Sequence, residues 1–79
     1  MRYETLKDDD LAVGAALAEM RSDVGMTQRE LADRTGIDLT AISRIEGGTR
    51  RLGFAEAVRC CKAMGKTVPA FLRKLRWDL

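Results

Sequence analysis

Apolar residues recur along this chain at intervals of three and four, and the intervals break at glycines. Val13, Ala16, Leu17, Met20 and Val24 share one face of a helix, expected from about Asp10 to Val24 and stopped by Gly25. The next periodic stretch is shorter and better marked. Thr27 and Glu30 have the spacing of a capping box, and Met26 and Leu31 flank it as a hydrophobic staple, so a second helix runs from about Gln28 to Thr35. Gly36, tolerant of positive φ, ends that helix. Asp38 is then placed to cap a third, whose inward positions are Ile42 and Ile45.

Two short helices joined by a glycine-containing turn of three or four residues make a helix-turn-helix, and small Ala32 suits their crossing. The polar loop Gly47 to Gly53 follows. A fourth helix is expected from Phe54 to Met64, with Phe54, Ala57, Val58, Cys61 and Met64 inward and Gly65 as its stop. A fifth opens with Thr67 as cap and Pro69 in the first turn, where a missing N–H is harmless, and runs through Phe71, Leu72 and Leu75. Gly14 costs ~1 kcal/mol relative to alanine inside a helix, which points to close approach of a neighbouring helix there. The pattern predicts an all-α, compact five-helix bundle. Residues 1–9 read as an N-terminal arm, 10–76 as the helix-turn-helix domain and 77–79 as a C-terminal tail. The run Asp8-Asp9-Asp10 suits a helix N-terminus. It is a poor metal cluster, because successive aspartates diverge around a helix.

Composition narrows the class. Seventy-nine residues allow one domain, and one proline with seven glycines leaves little linker. No apolar run has the length of a membrane span and no signal-peptide pattern opens the chain, so a cytoplasmic protein is expected. Adjacent Cys60 and Cys61 cannot bridge one another within a helix; they read as small core residues, and a chain without histidine offers no zinc spacing. An enzyme is excluded on the same inventory, with only Ser22 and Ser43 as serines, no phosphate-cradling glycine loop and no cofactor motif. The net charge is +2, unevenly placed: residues 1–19 carry two bases against five acids, net −3, and residues 20–79 carry twelve bases against seven acids, net +5. The basic portion holds the helix-turn-helix, which fits a polyanionic partner.

Val13-Gly14-x-x-Leu17-x-x-Met20-Arg21, Gly25-Met26-Thr27-Gln28-x-Glu30-Leu31-Ala32, Gly36-Ile37 and Ile42-Ser43-Arg44-Ile45-Glu46-x-Gly48, with a later Met64-Gly65-x-Thr67, carry a resemblance. Over about Val13 to Leu72 the chain resembles the lambda-repressor-like helix-turn-helix family, also called the Cro or XRE type. The resemblance implies a recognition helix lying in the major groove of double-stranded DNA. On a helix starting at Leu39, residues Leu39, Thr40, Ser43 and Arg44 face away from the core and become the base-reading candidates. Arg44 is the sharpest of them, since guanidinium pairs bidentately with guanine, whereas Leu39 could read only a thymine methyl. Thr27 and Gln28, at a helix N-terminus, and Arg50 and Arg51, in the basic loop, are the phosphate-binding candidates. Arg29 and Arg34 are weaker ones. Arg21 and Glu46 match two positions that form an ion pair in family members, although Arg21 could instead face a phosphate.

Phe71, Leu72, Leu75 and Trp77 exceed what so small a core needs, which makes them candidates for a dimer interface. The function implied is that of a prokaryotic or phage transcriptional regulator, most simply a repressor bound as a homodimer to an inverted-repeat operator. Two other readings stay open: an antitoxin that binds a toxin and regulates its own operon, and a protein-interaction module that has lost DNA binding.

Overall fold

The computed structural model describes residues 3–75, with side chains from Asp8 onward. Five helices appear among them and no strand: α1 (Tyr3–Asp23), α2 (Gln28–Thr35), α3 (Leu39–Glu46), α4 (Phe54–Ala63) and α5 (Val68–Leu75). Trp77 and the expected tail lie outside the described residues. α1 packs against α3 and α5, α2 against α3 and α4, and α4 against α5. The core between them holds Leu17 and Met20 of α1, Leu31 and Ala32 of α2, Ile42 and Ile45 of α3, Cys60 and Cys61 of α4, and Phe71 of α5. Complete burial of a side chain such as Leu17 or Ile42 contributes about 1.5–3 kcal/mol.

α2 forms where its signals place it. The Glu30 N–H donates to Thr27 Oγ1 at 3.0 Å, and Glu30 Oε1 accepts the Thr27 N–H at 2.9 Å. Gly36 stops the helix in the left-handed region at φ 76°. The turn to α3 then contains only Gly36, Ile37 and Asp38, and Ile37 is buried beneath it. α5 opens as expected, with Thr67 Oγ1 accepting the Ala70 N–H at 3.2 Å.

Three expectations are corrected. α1 begins at Tyr3, seven residues before Asp10, so the three aspartates lie inside the helix and residues 3–7 are helical, not an arm. Nothing in Tyr3 to Lys7 is a glycine or proline that would stop a helix, and lack of amphipathic periodicity is no barrier to one. Asp38 occupies the cap position of α3 without a side-chain capping hydrogen bond. Phe54 is 80% exposed, and Cys60 takes a fully buried place. Phe54 precedes Cys61 by two helical turns and so shares its face, but the core ends before the face does.

The expectation for Gly14 holds, because a Cβ there would overlap the backbone carbonyl oxygen of Ile45, and α1 and α3 therefore cross backbone to backbone. Cys60 and Cys61 are free thiols within the core, and burial pushes the Cys60 thiol up to about 12.

Candidate nucleic-acid interface

α3 carries apolar Ile42 and Ile45 inward and leaves Thr40, Ser43 and Arg44 exposed. Arg44 makes no ion pair among the described residues, so its guanidinium stands open to solvent. Leu39 differs from its neighbours. It is only partly exposed, packs against the core, and lines a shallow depression with Arg29, Asp33, Ile37 and Asp38.

The orientation of α3 is fixed at its C-terminal end by Glu46, whose side chain is 6% exposed. Arg21 of α1 donates from Nε to Glu46 Oε2 at 2.8 Å and from Nη2 to Oε1 at 2.9 Å, and its Nη1 reaches the Met26 carbonyl at 2.7 Å. Gln28, the first residue of α2, adds a bond from Nε2 to Glu46 Oε1 at 2.9 Å. One carboxylate thus joins the ends of three helices. The hydrogen bond to Glu46 raises the Arg21 guanidinium further above its ordinary range, so the cation persists at any working pH. All three guanidinium nitrogens of Arg21 are thus engaged within the protein.

The loop between α3 and α4 is also braced by carboxylates. Arg50 donates from Nη1 to Glu56 Oε1 at 2.9 Å and from Nη2 to Oε2 at 3.0 Å, while Glu56 Oε1 also accepts the Gly53 N–H at 2.9 Å. Arg50 and the Gly53 amide hold the Glu56 carboxyl below the usual carboxylate range. Arg51, 63% exposed, reaches back to α1, with Nε 3.3 Å from Asp10 Oδ1. Thr49 closes the C-terminal end of α3, its N–H and hydroxyl both donating to the Arg44 carbonyl at 2.9 and 3.3 Å.

A helix-turn-helix domain family matches residues 12–73 by its sequence profile. The chain belongs to this family, in its lambda-repressor-like or XRE form. Solved structures of such regulators superpose on it closely. The clp gene regulator ClgR from Corynebacterium glutamicum is 31% identical, with a TM-score of 0.80 over 85% of this chain and 87% of its own. The restriction-modification controller protein C.Esp1396I is 28% identical, with a TM-score of 0.79 over 85% and 88%. A third, C.AhdI from Aeromonas hydrophila, is 25% identical, with a TM-score of 0.74 over 86% and 97%. C.Esp1396I has also been solved as a tetramer in complex with its natural 35 base-pair operator. No curated protein matches the sequence significantly. Members of the XRE family are DNA-binding helix-turn-helix regulators, and this chain is one of them.

Within the family fold, the sequence candidates fall into distinct settings. Thr40, Ser43 and Arg44 share one exposed face, whereas Thr27 Oγ1 is engaged in its cap and Gln28 is turned toward Glu46. Arg50 is gripped by Glu56, and Arg51 keeps most of its surface in solvent. Phe71 is 5% exposed and belongs to the core, at the floor of the groove described next, while Leu72 is 42% exposed. Leu72 and Leu75 border an open apolar groove of about 250 Å³ with Val13, Leu52, Phe54 and Val68. The sequence assigned Glu56 no role, and Asp10 only a place at the start of the first helix. Glu56 had a signal, the Gly53-x-x-Glu56 spacing of a helix start. The Asp10–Arg51 pair spans 41 positions and had none. Among the described residues no helix is long and apolar enough to cross a membrane.

Proposed function

We propose that the protein is a cytoplasmic transcriptional repressor that binds an inverted-repeat operator as a homodimer. The observation that carries this reading is the setting of α3: its inward side is locked to α1 and α2 through Glu46, and Thr40, Ser43 and Arg44 face outward, with no ion pair to Arg44 among the described residues. An element held rigidly from behind can place donors against base edges without an ordering cost on binding.

Arg44 pairs with a guanine, Thr40 and Ser43 bond to bases or phosphates, and the exposed remainder of Leu39 meets a thymine methyl. Thr27, Gln28, Arg50 and Arg51 lie toward the phosphates and set register without reading sequence. The Arg51 side chain is more exposed than that of Arg50, Gln28 keeps its second amide hydrogen, and Arg50 acts chiefly by shaping the loop. Leu72, Leu75 and Phe54 around the apolar groove provide the dimer contact, with Phe71 supporting them from inside. Two recognition helices then lie ~34 Å apart and read half-sites ~10 bp apart, or a multiple of that. Repression follows from occupying promoter DNA. The operator complex of C.Esp1396I supports the operator-binding part of the reading.

The test is a fluorescence-anisotropy titration of the protein's own upstream DNA and a scrambled duplex over ~50–300 mM salt. Cooperative binding to the native fragment, tighter by ~10³-fold or more, is expected. Arg44→Ala should abolish the preference, and Arg51→Ala should weaken both duplexes alike. Equal, weak and steeply salt-dependent binding to the two would reject operator recognition.

A further inference from the structure

Three side chains directed toward phosphate in the reading above are each held by a carboxylate of the protein itself: Gln28 by Glu46, Arg50 by Glu56 and Arg51 by Asp10. The three pairings differ in kind. Glu46 is nearly buried and also receives Arg21, and Glu56 takes Arg50 with both oxygens while holding the Gly53 amide. Those two are parts of the framework. The Asp10–Arg51 pair is a single bond from Nε at 3.3 Å, on a side chain 63% exposed. Asp10, by contrast, is largely shielded and held by its place on α1. The next residue, Leu11, lies so close over Gly48 that a Cβ there would overlap its side chain, so this turn of α1 sits directly on the basic loop.

We propose that Asp10 is an intramolecular competitor for DNA phosphate, occupying Arg51 in the free protein and thereby lowering affinity for DNA of any sequence. The proposal rests on the reading that Arg51 faces phosphate. An arginine that must leave a carboxylate to meet a phosphate contributes only the difference between the two attractions. Phosphate neutralisation supplies the sequence-independent part of binding, so the effect falls on operator and non-operator DNA by the same factor. Arg44 makes no ion pair among the described residues, and its discrimination between bases is untouched. The structure thus separates the strength of binding, set in part from α1, from its selectivity, set on α3.

The experiment titrates a scrambled duplex, and heparin as a second polyanion, at ~100 mM salt. Wild type is compared with Asp10→Asn, Asp10→Ser, Arg51→Ala and Asp10→Asn combined with Arg51→Ala, after circular dichroism melts confirm that each is folded. Both Asp10 variants should bind about two- to fivefold tighter, the range of an exposed ion pair, and the gain should vanish when Arg51 is alanine. Asp8→Asn makes the same charge change two positions away and should move affinity less. Unchanged or weaker binding by both Asp10 variants overturns the proposal. So does a gain that survives in Arg51→Ala, the mark of general charge repulsion. The operator reading is judged separately, by preference for upstream over scrambled DNA. If that preference is absent, the Asp10 comparison on the scrambled duplex and heparin is still decisive.

Discussion

Glu46 accepts hydrogen bonds from Arg21 and Gln28 with both oxygens nearly out of water. Removing one partner strands the other charge, and breaking such a pair costs about 3–5 kcal/mol when fully buried. Arg21 is 19% exposed, which places Arg21→Met at about 3 kcal/mol, the low end of that range, in urea unfolding. Glu56 leads to a prediction in pH. Its folded pKa is depressed, chiefly by Arg50, so its stabilisation is present above the unfolded value of about 4.3 and is lost as pH falls through the lower folded value. Thermal melts of Glu56→Gln and wild type should therefore differ most above pH 5 and converge as the solution is made more acid. A constant difference across that window would show that the carboxylate acts through packing and not through charge. These residues were only partly legible beforehand. Arg21 and Glu46 stood at matching family positions, but no local pattern joins Arg50 to Glu56 across the turn at Gly53 or Arg51 to Asp10 across two helices.

The elements were legible where local chemistry settles them. Thr27, Glu30 and Gly36 mark α2 because caps and positive φ act within a few residues. Thr27→Ala should cost about 1 kcal/mol, seen as a lower urea midpoint with unchanged slope. The start of α1 and the exposure of Phe54 were not legible, since one depends on the absence of a stop signal and the other on where neighbouring helices end. Gly14 tests the α1–α3 crossing. Alanine would favour the helix itself by ~1 kcal/mol, yet its Cβ would overlap the Ile45 carbonyl, a backbone atom that cannot turn aside. The steric term wins, so Gly14→Ala should lower the melting temperature, and DNA affinity should fall with it because α3 is displaced. An unchanged melting temperature would mean that the two helices can separate at no cost.

For the molecule as a whole, Phe71 and Leu72 are neighbours in sequence with opposite expected outcomes. Phe71→Ala removes a buried aromatic and should cost about 3–5 kcal/mol in the isolated chain. Leu72→Glu alters a side chain 42% exposed at the groove and should leave the fold intact. Under the proposed homodimer it should produce monomers in sedimentation and remove cooperativity on the operator; persistence of the dimer would move the interface elsewhere. The bundle as a class could be read from five periodic segments and their glycine stops, whereas the groove could not, because it exists only once α1, α4 and α5 meet. The way Glu46 secures α3 has an evolutionary consequence. All three helices are tied together on the inner side, so Thr40, Ser43 and Arg44 carry little of the folding energy. Mutations at these three positions are therefore free to drift, and, under the proposed base-reading role, a lineage of such proteins can acquire new target sequences without passing through unstable ancestors.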